Sequence, residues 1–178
     1  QCAMRVKGDT VELDYTGTDP QIPAAYNMVS GPRTHPYVTM ALICYILTQE
    51  PDAPRNAGLL RPIQSVSPRG TVLNAEFPAA GGARVASATR VYDTILGCLN
   101  QAIPEGLVAA GPGSVGIIVV TAPDPKTGRN RVTTINPICG GSGARRGLDG
   151  VDGIDVRYSA LRRDRKSTRL NSSHVSES

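Results

Sequence analysis

The chain of 178 residues has no tryptophan, only one phenylalanine and no uninterrupted apolar run of about 18 residues. The longest apolar candidate, residues 37–47, is too short to cross a bilayer, so no membrane association is expected. The four cysteines are widely separated and form no Cys-x-x-Cys pair, which argues against a disulfide framework or a zinc site. We therefore predict a cytoplasmic protein in which Cys44 and Cys98 act as small core residues.

Sequence motifs for nucleotide binding are absent or wrongly placed. Residues 111–116 match Gly-x-Gly-x-x-Gly, but a helix-like stretch precedes them and a strand-like stretch follows, the reverse of a dinucleotide-binding unit. Lys126 and Thr127 lack the glycine spacing of a phosphate loop. There is no Gly-x-Ser-x-Gly elbow, and Ser142 has no evident base nearby. The chain itself is therefore not expected to bind ATP.

Residues 164–178 differ in composition from the rest of the chain. Asp164 to His174 contain one leucine and no hydrophobic periodicity, and they resemble the conceptual translation of a sequencing-library adapter. We predict an artefactual, disordered tail at 164–178 and a partial domain at 1–163. The basic run 162–166 is set aside with this tail, and the small remaining excess of positive charge is not a nucleic-acid signature.

Hydrophobic patterning predicts both strands and helices. Apolar residues alternate with polar ones over residues 10–15, which predicts a half-buried strand, and residues 62–74 resemble a hairpin around a turn at 67–70. The β-branched run 115–121 predicts a strand buried on both faces. Residues 124–129 then form a hairpin tip, and residues 131–136 form the returning strand.

Helical spacing occurs in two places. One helix is predicted from Pro36 to about Leu47 with Thr34 as its cap, and a longer one from about Val85 to Ile103. Strands and helices follow one another without a regular βαβ repeat, so the sequence predicts a mixed α/β fold of the α+β class.

The first candidate site is the turn after the strand at residues 10–15. The segment from Asp14 to Gln21 places hydroxyls, a carboxylate and a carboxamide at the strand end, and the amides around Gly17 could form a concavity for an anion or a carbonyl. The alternative is an ordinary turn in which Thr16, Thr18 and Asp14 bond to their own backbone.

The second candidate is the glycine-rich segment 140–150. Arg145 could hold a carboxylate or phosphate in a bidentate manner, and Asp149 could bind a cation or accept a proton. The alternative is a surface loop with scattered charges. His35 is predicted to lie in the first turn of a helix instead of acting as a base, and Arg90 with Asp93 to form a helix-surface pair.

Taken together, the order of several short motifs resembles the hydantoinase B family over about residues 6–161. The motifs are Leu13-Asp-Tyr-Thr-Gly-Thr-Asp-Pro-Gln21, Asn27, Pro54-Arg-Asn-Ala-Gly-Leu-Leu-Arg-Pro-Ile63, Pro68-Arg-Gly70, Pro78-Ala-Ala80, Arg90-Val-Tyr-Asp93, Pro104-Glu105, Gly140-Gly-Ser-Gly-Ala-Arg145 and Asp149-Gly150. Family members carry an additional upstream segment suited to a divalent metal, and downstream they continue well past the position of Leu161. The resemblance therefore implies an incomplete fragment of a larger domain.

The resemblance also implies a function. The family provides the B component of ATP-dependent enzymes that open cyclic amides, N-methylhydantoinase and 5-oxoprolinase, with acetone carboxylase as a relative. An A-type partner in a hetero-oligomer would bind ATP and phosphorylate the carbonyl oxygen, and the B-type chain would handle the activated intermediate. Alternatives are a carboxylase component and a scaffold for the A-type partner.

Candidate roles follow from this resemblance. Asp14 and Asp149 would be catalytic, orienting water or a divalent metal held by the full-length protein. The substrate-binding candidates, which could stabilise an oxyanion or hold the ring, are Thr16, Gly17, Thr18, Gln21, Asn27, Gly141 and Arg145.

Overall fold

The computed structural model describes residues 1–103, 105, 107–113 and 115–151. For residues 115–119 and 133–139 it describes the backbone only. The elements are β1 Ala3–Lys7, β2 Thr10–Asp14, α1 Met40–Gln49, β3 Ile63–Val66, α2 Arg84–Ala102, β4 Val115–Pro123 and β5 Asn130–Cys139. Short 3-10 turns span Pro36–Val38 and Ala57–Leu60. This mixture of helices and strands confirms the predicted α+β class. The predicted tail at 164–178 lies outside the described residues.

A three-stranded sheet has the order β1-β2-β3. The strands β1 and β2 form an antiparallel hairpin closed by Gly8 and Asp9, and Gly8 has a φ of 60° that suits glycine. Arg5 and Glu12 pair across the hairpin at 2.8 Å. The sequence interpretation included β2 but missed β1, although the Gly8-Asp9 pair between two short runs is a hairpin signal.

The predicted hairpin over residues 62–74 is wrong. The strand β3 pairs in parallel with β2 and places Ile63 beside Val11. Beyond the turn, Val72 donates its amide proton to Asp19 and accepts one from Met28. The two halves of the proposed hairpin therefore have different partners, because the long connection through α1 brings β3 to β2 before the chain turns at Gly70.

The first predicted helix is divided in two. A 3-10 turn over Pro36–Val38 precedes α1, and the cap is His35, whose Nδ1 accepts a hydrogen bond from the Tyr37 amide. Thr34 does not cap the helix, because its hydroxyl donates to the Ile63 carbonyl on β3. His35 therefore lies at the cap, one residue before the turn in which it was predicted, and the predicted cap Thr34 is wrong.

The second helix agrees with its prediction within one residue at each end and forms the centre of the packing. α2 contacts α1, β1 and the 3-10 turn at Pro36–Val38. Its buried face joins residues of β2, β3 and α1 in one core: Leu13, Tyr15, Met28, Val38, Ala41, Leu42, Ile63, Leu73, Ala88, Val91, Ile95, Leu96 and Leu99. Cys44 and Cys98 are only partly buried beside this core.

The strands β4 and β5 form an antiparallel hairpin, as predicted, with a turn in which Asp124 and Arg129 bond through their backbones. Val120 is 46% exposed, so β4 is not buried on both faces at that position. Within the described residues, neither helix has the length and apolar character required to cross a bilayer.

Candidate functional site

Asp14 ends β2 and is held by two different partners. Its Oδ1 accepts the amide proton of Thr16 at 2.9 Å, and its Oδ2 lies 3.1 Å from the guanidinium of Arg5. The hydrogen bonds from Thr16, assisted by Arg5, lower the pKa of Asp14 to about 2. A carboxylate with so low a pKa is a weak proton acceptor at neutral pH. Its geometry is that of a turn anchor, the ordinary-turn alternative for this segment.

This low pKa predicts how stability depends on pH. A carboxylate with a depressed folded-state pKa stabilises the fold above its unfolded pKa, here 3.8, and this contribution is lost as the pH falls toward 2. We expect the melting temperature of Asp14→Asn to fall less than that of the wild type between about pH 4 and pH 2. Thermal melts of the complete protein would measure this difference. Asp9→Asn is the matched control, and equal pH profiles for the wild type and Asp14→Asn would contradict the assignment.

The other polar residues of this turn bond mainly to backbone. The Thr18 hydroxyl donates to the Tyr15 carbonyl at 2.7 Å. The Gln21 carboxamide makes a two-point contact with Glu76, donating to its carbonyl and accepting from its amide. Thr16 is exposed, and Gly17 adopts a φ of 85° directly against the Gln1 side chain. The substrate-binding roles of these residues stay predictions. In the folded chain the side chains of Thr18 and Gln21 bond to backbone atoms.

Asn27 is the most constrained of the predicted site residues. It is 1% exposed, and its Oδ1 accepts the Ile22 amide at 2.9 Å. Its Nδ2 donates to the carbonyls of Ile22, Ala24 and Ala80. Because both protons of Nδ2 are already shared among three carbonyls, Asn27 has no spare donor in this geometry.

A cavity of about 510 Å³ lies between the turn after β2 and the first half of α2. Thr18 and Asp19 line it from the turn, Ser87, Arg90 and Thr94 line it from α2, and apolar side chains of the core complete its floor. Concave sites with an apolar lining and a few convergent polar groups are the usual sites of small ligands. The sequence interpretation included Asp19 in the segment from Asp14 to Gln21 without giving it a role, and for Arg90 it favoured a helix-surface pair with Asp93.

Arg90 lies in this cavity against a glycine of another segment. Gly113 has a φ of 59°, and a Cβ at that position would come 2.6–2.8 Å from the guanidinium of Arg90. The Gly113 carbonyl lies 3.2 Å from the hydroxyl of buried Thr89, whose single proton is shared with the closer carbonyl of Ala86 at 2.7 Å. The glycine therefore provides space for the guanidinium. Residues 107–113 form no regular element and Gly116 lies in β4, so the strand that the sequence places after this glycine motif is present.

The serine and threonine hydroxyls of the cavity already donate their protons. Thr18 donates to Tyr15, Ser87 donates to Tyr26 at 2.6 Å, and Thr94 donates to the carbonyl of Arg90. A hydroxyl that donates its single proton keeps lone pairs for accepting hydrogen bonds. With the carboxylate of Asp19, the cavity thus offers acceptors suited to the N–H groups of a ligand.

The glycine-rich segment 140–150 forms a separate compact loop. Arg145 and Leu148 exchange backbone hydrogen bonds around Gly147, and Ser142 bonds to Val151. Gly143 lies directly against the backbone of Ala109, so a side chain there would clash. The cavity lining includes none of residues 140–150 among the described residues, so the structure does not join the two predicted sites. Gly141 is half-buried in this loop, and Arg145 and Asp149 are exposed on it.

A second cavity of about 300 Å³ lies near the start of α2, and His35, Tyr37 and Arg84 contribute to its lining. Burial and, secondarily, the nearby Arg84 lower the pKa of His35. Its ring packs edge-on against Tyr37, and its Nδ1 is occupied by the Tyr37 amide. These contacts fit the predicted structural role of His35.

The divalent metal implied by the resemblance requires a cluster of ligating side chains. Within residues 1–103, 105, 107–113 and 115–151, no three His, Cys, Asp or Glu side chains lie together as ligands for an ion. These residues therefore do not fit the metal, and no reaction step is assigned to a metal held by them.

Comparison with known proteins agrees with the resemblance carried by the motifs. The sequence profile of the family described as Hydantoinase B/oxoprolinase matches residues 1–163. A Pseudomonas protein (strain NS671), whose name describes it as the B-type component of a D-/L-hydantoinase, is 32% identical over 162 residues. The matched residues are 89% of this chain and 27% of that protein.

Two uncharacterised proteins are also similar. One from Methanocaldococcus jannaschii is 30% identical over 120 residues, which are 66% of this chain and 20% of that protein. One from Schizosaccharomyces pombe is 31% identical over 160 residues, which are 87% of this chain and 11% of that protein. The chain thus spans about a quarter or less of the length of these relatives.

Proposed function

Because the chain belongs to the hydantoinase B/oxoprolinase family, we propose that it is part of the B component of an ATP-dependent enzyme that opens cyclic amides such as hydantoins or 5-oxoproline. The observation that carries this proposal is the cavity between the turn after β2 and α2. The family resemblance lies partly in the motif 13–21, and two residues of that motif, Thr18 and Asp19, line the cavity. The proposed substrate site therefore lies within the part of the chain that carries the resemblance.

The chemistry of the cavity suits a cyclic amide. An unactivated amide is a poor electrophile, so ring opening requires a polarised carbonyl and a delivered water. In the proposed enzyme the A-type partner binds ATP and activates the carbonyl oxygen, and this chain holds the ring. The N–H groups of the ring would donate to Thr18, Ser87, Thr94 or Asp19, which line the cavity and have oxygen atoms able to accept.

The proposed catalytic roles differ from those expected from the sequence. Asp19 lines the cavity and is proposed to orient the attacking water, a role that the sequence interpretation gave to Asp14 and Asp149. Asp14 is engaged by Thr16 and Arg5, and Asp149 is exposed on the loop at 140–150. A role for Asp149, with Arg145 and Gly141, stays a prediction for the complete protein. The proposed hetero-oligomer is cytoplasmic.

The test is ATP-coupled ring opening by the complete protein co-expressed with its A-type partner. We expect ATP-dependent turnover of a hydantoin or of 5-oxoproline, and we expect Ala86→Phe, which fills the cavity, to lower it at least about tenfold by excluding the ring. Gln101→Phe, exposed on the same helix, is the matched control.

Three outcomes would contradict the proposal. Absence of turnover with every cyclic amide would remove the hydrolase function. Turnover that requires bicarbonate would indicate a carboxylase component. Full activity of Ala86→Phe in an intact complex would place the chemistry elsewhere and leave this part of the chain as a scaffold.

A further inference from the structure

We propose that Arg90 is a specificity-determining residue that binds an anionic oxygen group of the ligand, a carboxylate or a phosphoryl group, in the cavity between the turn after β2 and α2. This inference rests on the proposed function, because it assigns a ligand class to the same cavity. It changes the role of Arg90 from a helix-surface charge to a contact with the substrate or its activated form.

The first argument is the placement of the guanidinium. Arg90 lines the cavity, and its guanidinium occupies the space where any residue other than glycine at position 113 would project a side chain. The Gly113 carbonyl also lies 3.2 Å from the hydroxyl of buried Thr89 on α2. Arg90 is an exposed residue, so its guanidinium is open to a ligand from solvent, and Gly113 limits its position on one side.

The second argument is the absence of a protein partner for this charge. The ion pairs of the described residues involve Arg5, Lys7, Arg69 and Arg146, and none involves Arg90. No hydrogen bond donated by its guanidinium occurs within the described part of the chain either. Its planar array of N–H donors matches carboxylate and phosphate oxygens in a two-point contact.

The third argument is the division of donors and acceptors in the cavity. The hydroxyls of Thr18, Ser87 and Thr94 already donate to carbonyls, so they offer lone pairs to a ligand. Arg90 supplies the positive charge among the described lining side chains, and Asp19 supplies the negative charge. A ligand with ring N–H groups and one anionic group would satisfy both sets, whereas a neutral ring would leave the guanidinium without a partner.

The experiment measures binding to the complete protein by calorimetric or NMR titration without ATP. The probes are 5-oxoproline, its neutral carboxamide and inorganic phosphate, compared in the wild type, Arg90→Met, Arg90→Lys and Arg84→Met. Arg84 is an exposed arginine at the start of the same helix and lines the second cavity, so it controls for loss of a positive charge. Melting temperatures verify that each variant is folded.

We expect Arg90→Met to weaken 5-oxoproline or phosphate binding about tenfold, which is the effect of one charge-assisted hydrogen-bonded contact at a site open to solvent. Arg90→Lys should recover part of the loss, and carboxamide binding and Arg84→Met should stay within about twofold. Selective loss of 5-oxoproline identifies the carboxylate as the group bound, and selective loss of phosphate identifies the phosphoryl group.

The inference is overturned if neither anion binds the wild type, or if Arg90→Met weakens the carboxamide as much as 5-oxoproline. Failure of the proposed function has a different result, since ATP-dependent ring opening would then be absent while anion binding still depended on Arg90.

Discussion

Replacing Asn27 by alanine is expected to destabilise the protein by about 2 kcal/mol, an effect larger than that expected for Gln21→Ala in the neighbouring turn. The side chain makes hydrogen bonds to the amide of Ile22 and to the carbonyls of Ile22, Ala24 and Ala80. The side chain is buried, and alanine would leave the amide and the carbonyl of Ile22 without their protein partner, whereas the carbonyls of Ala24 and Ala80 would keep the backbone amides of Tyr26 and Asn27. Each buried group left in this state costs about 1 kcal/mol or more.

The measurement is chemical or thermal unfolding of the complete protein, with hydrogen exchange followed at residues 22–27. Gln21→Ala is the matched control, because Gln21 also bonds to backbone but lies nearer solvent, and about 1 kcal/mol is expected for it. If Asn27→Ala melted like the wild type but bound the ring weakly, the role predicted from the sequence, a substrate contact, would replace the structural one.

The sequence predicted β2 and α2, whose signals are local, although it missed β1. The alternation through Leu13 and the three- and four-residue spacing of α2 depend only on which face of an element is buried, and both were correct. The predicted hairpin at 62–74 is wrong because the partner of each strand depends on the rest of the chain. Residues 63–66 and 72–73 have suitable strand composition, but a composition does not specify that β3 pairs with β2.

The candidate site was harder to predict from the sequence, because it also depends on contacts between distant parts of the chain. Asp14, Thr18 and Gln21 were recognised as polar groups at a strand end, but whether such groups face a ligand or bond to backbone depends on neighbours such as Arg5 and Glu76. The cavity itself depends on the approach of Gly113 to α2, at a separation of more than twenty residues from Arg90. A glycine in an irregular segment was a signal for close approach, but it did not identify the partner.

The packing of β2 against the helices leads to the second large expected effect. Leu13→Ala should lower the free energy of unfolding by about 3 kcal/mol, because Leu13 is 0% exposed and a cavity would remain where its side chain packs. Leu13 lies on the central strand, beside Met4 of β1 and Ser65 of β3, so the neighbouring strands restrict how far the site can collapse. Unfolding of the complete protein by urea would measure the change.

Val6→Ala is the control for Leu13→Ala, because Val6 is 71% exposed on β1 and removal of its methyl groups should cost less than about 0.5 kcal/mol. A similar small cost for Leu13→Ala would show that the sheet does not pack on α2 as described. If the large cost is found, the turn that follows β2 is anchored at Leu13 and Tyr15, both in the core, and the cavity wall formed by Thr18 and Asp19 depends on that anchor. Leu13→Ala should therefore also weaken ring binding, whereas Val6→Ala should not.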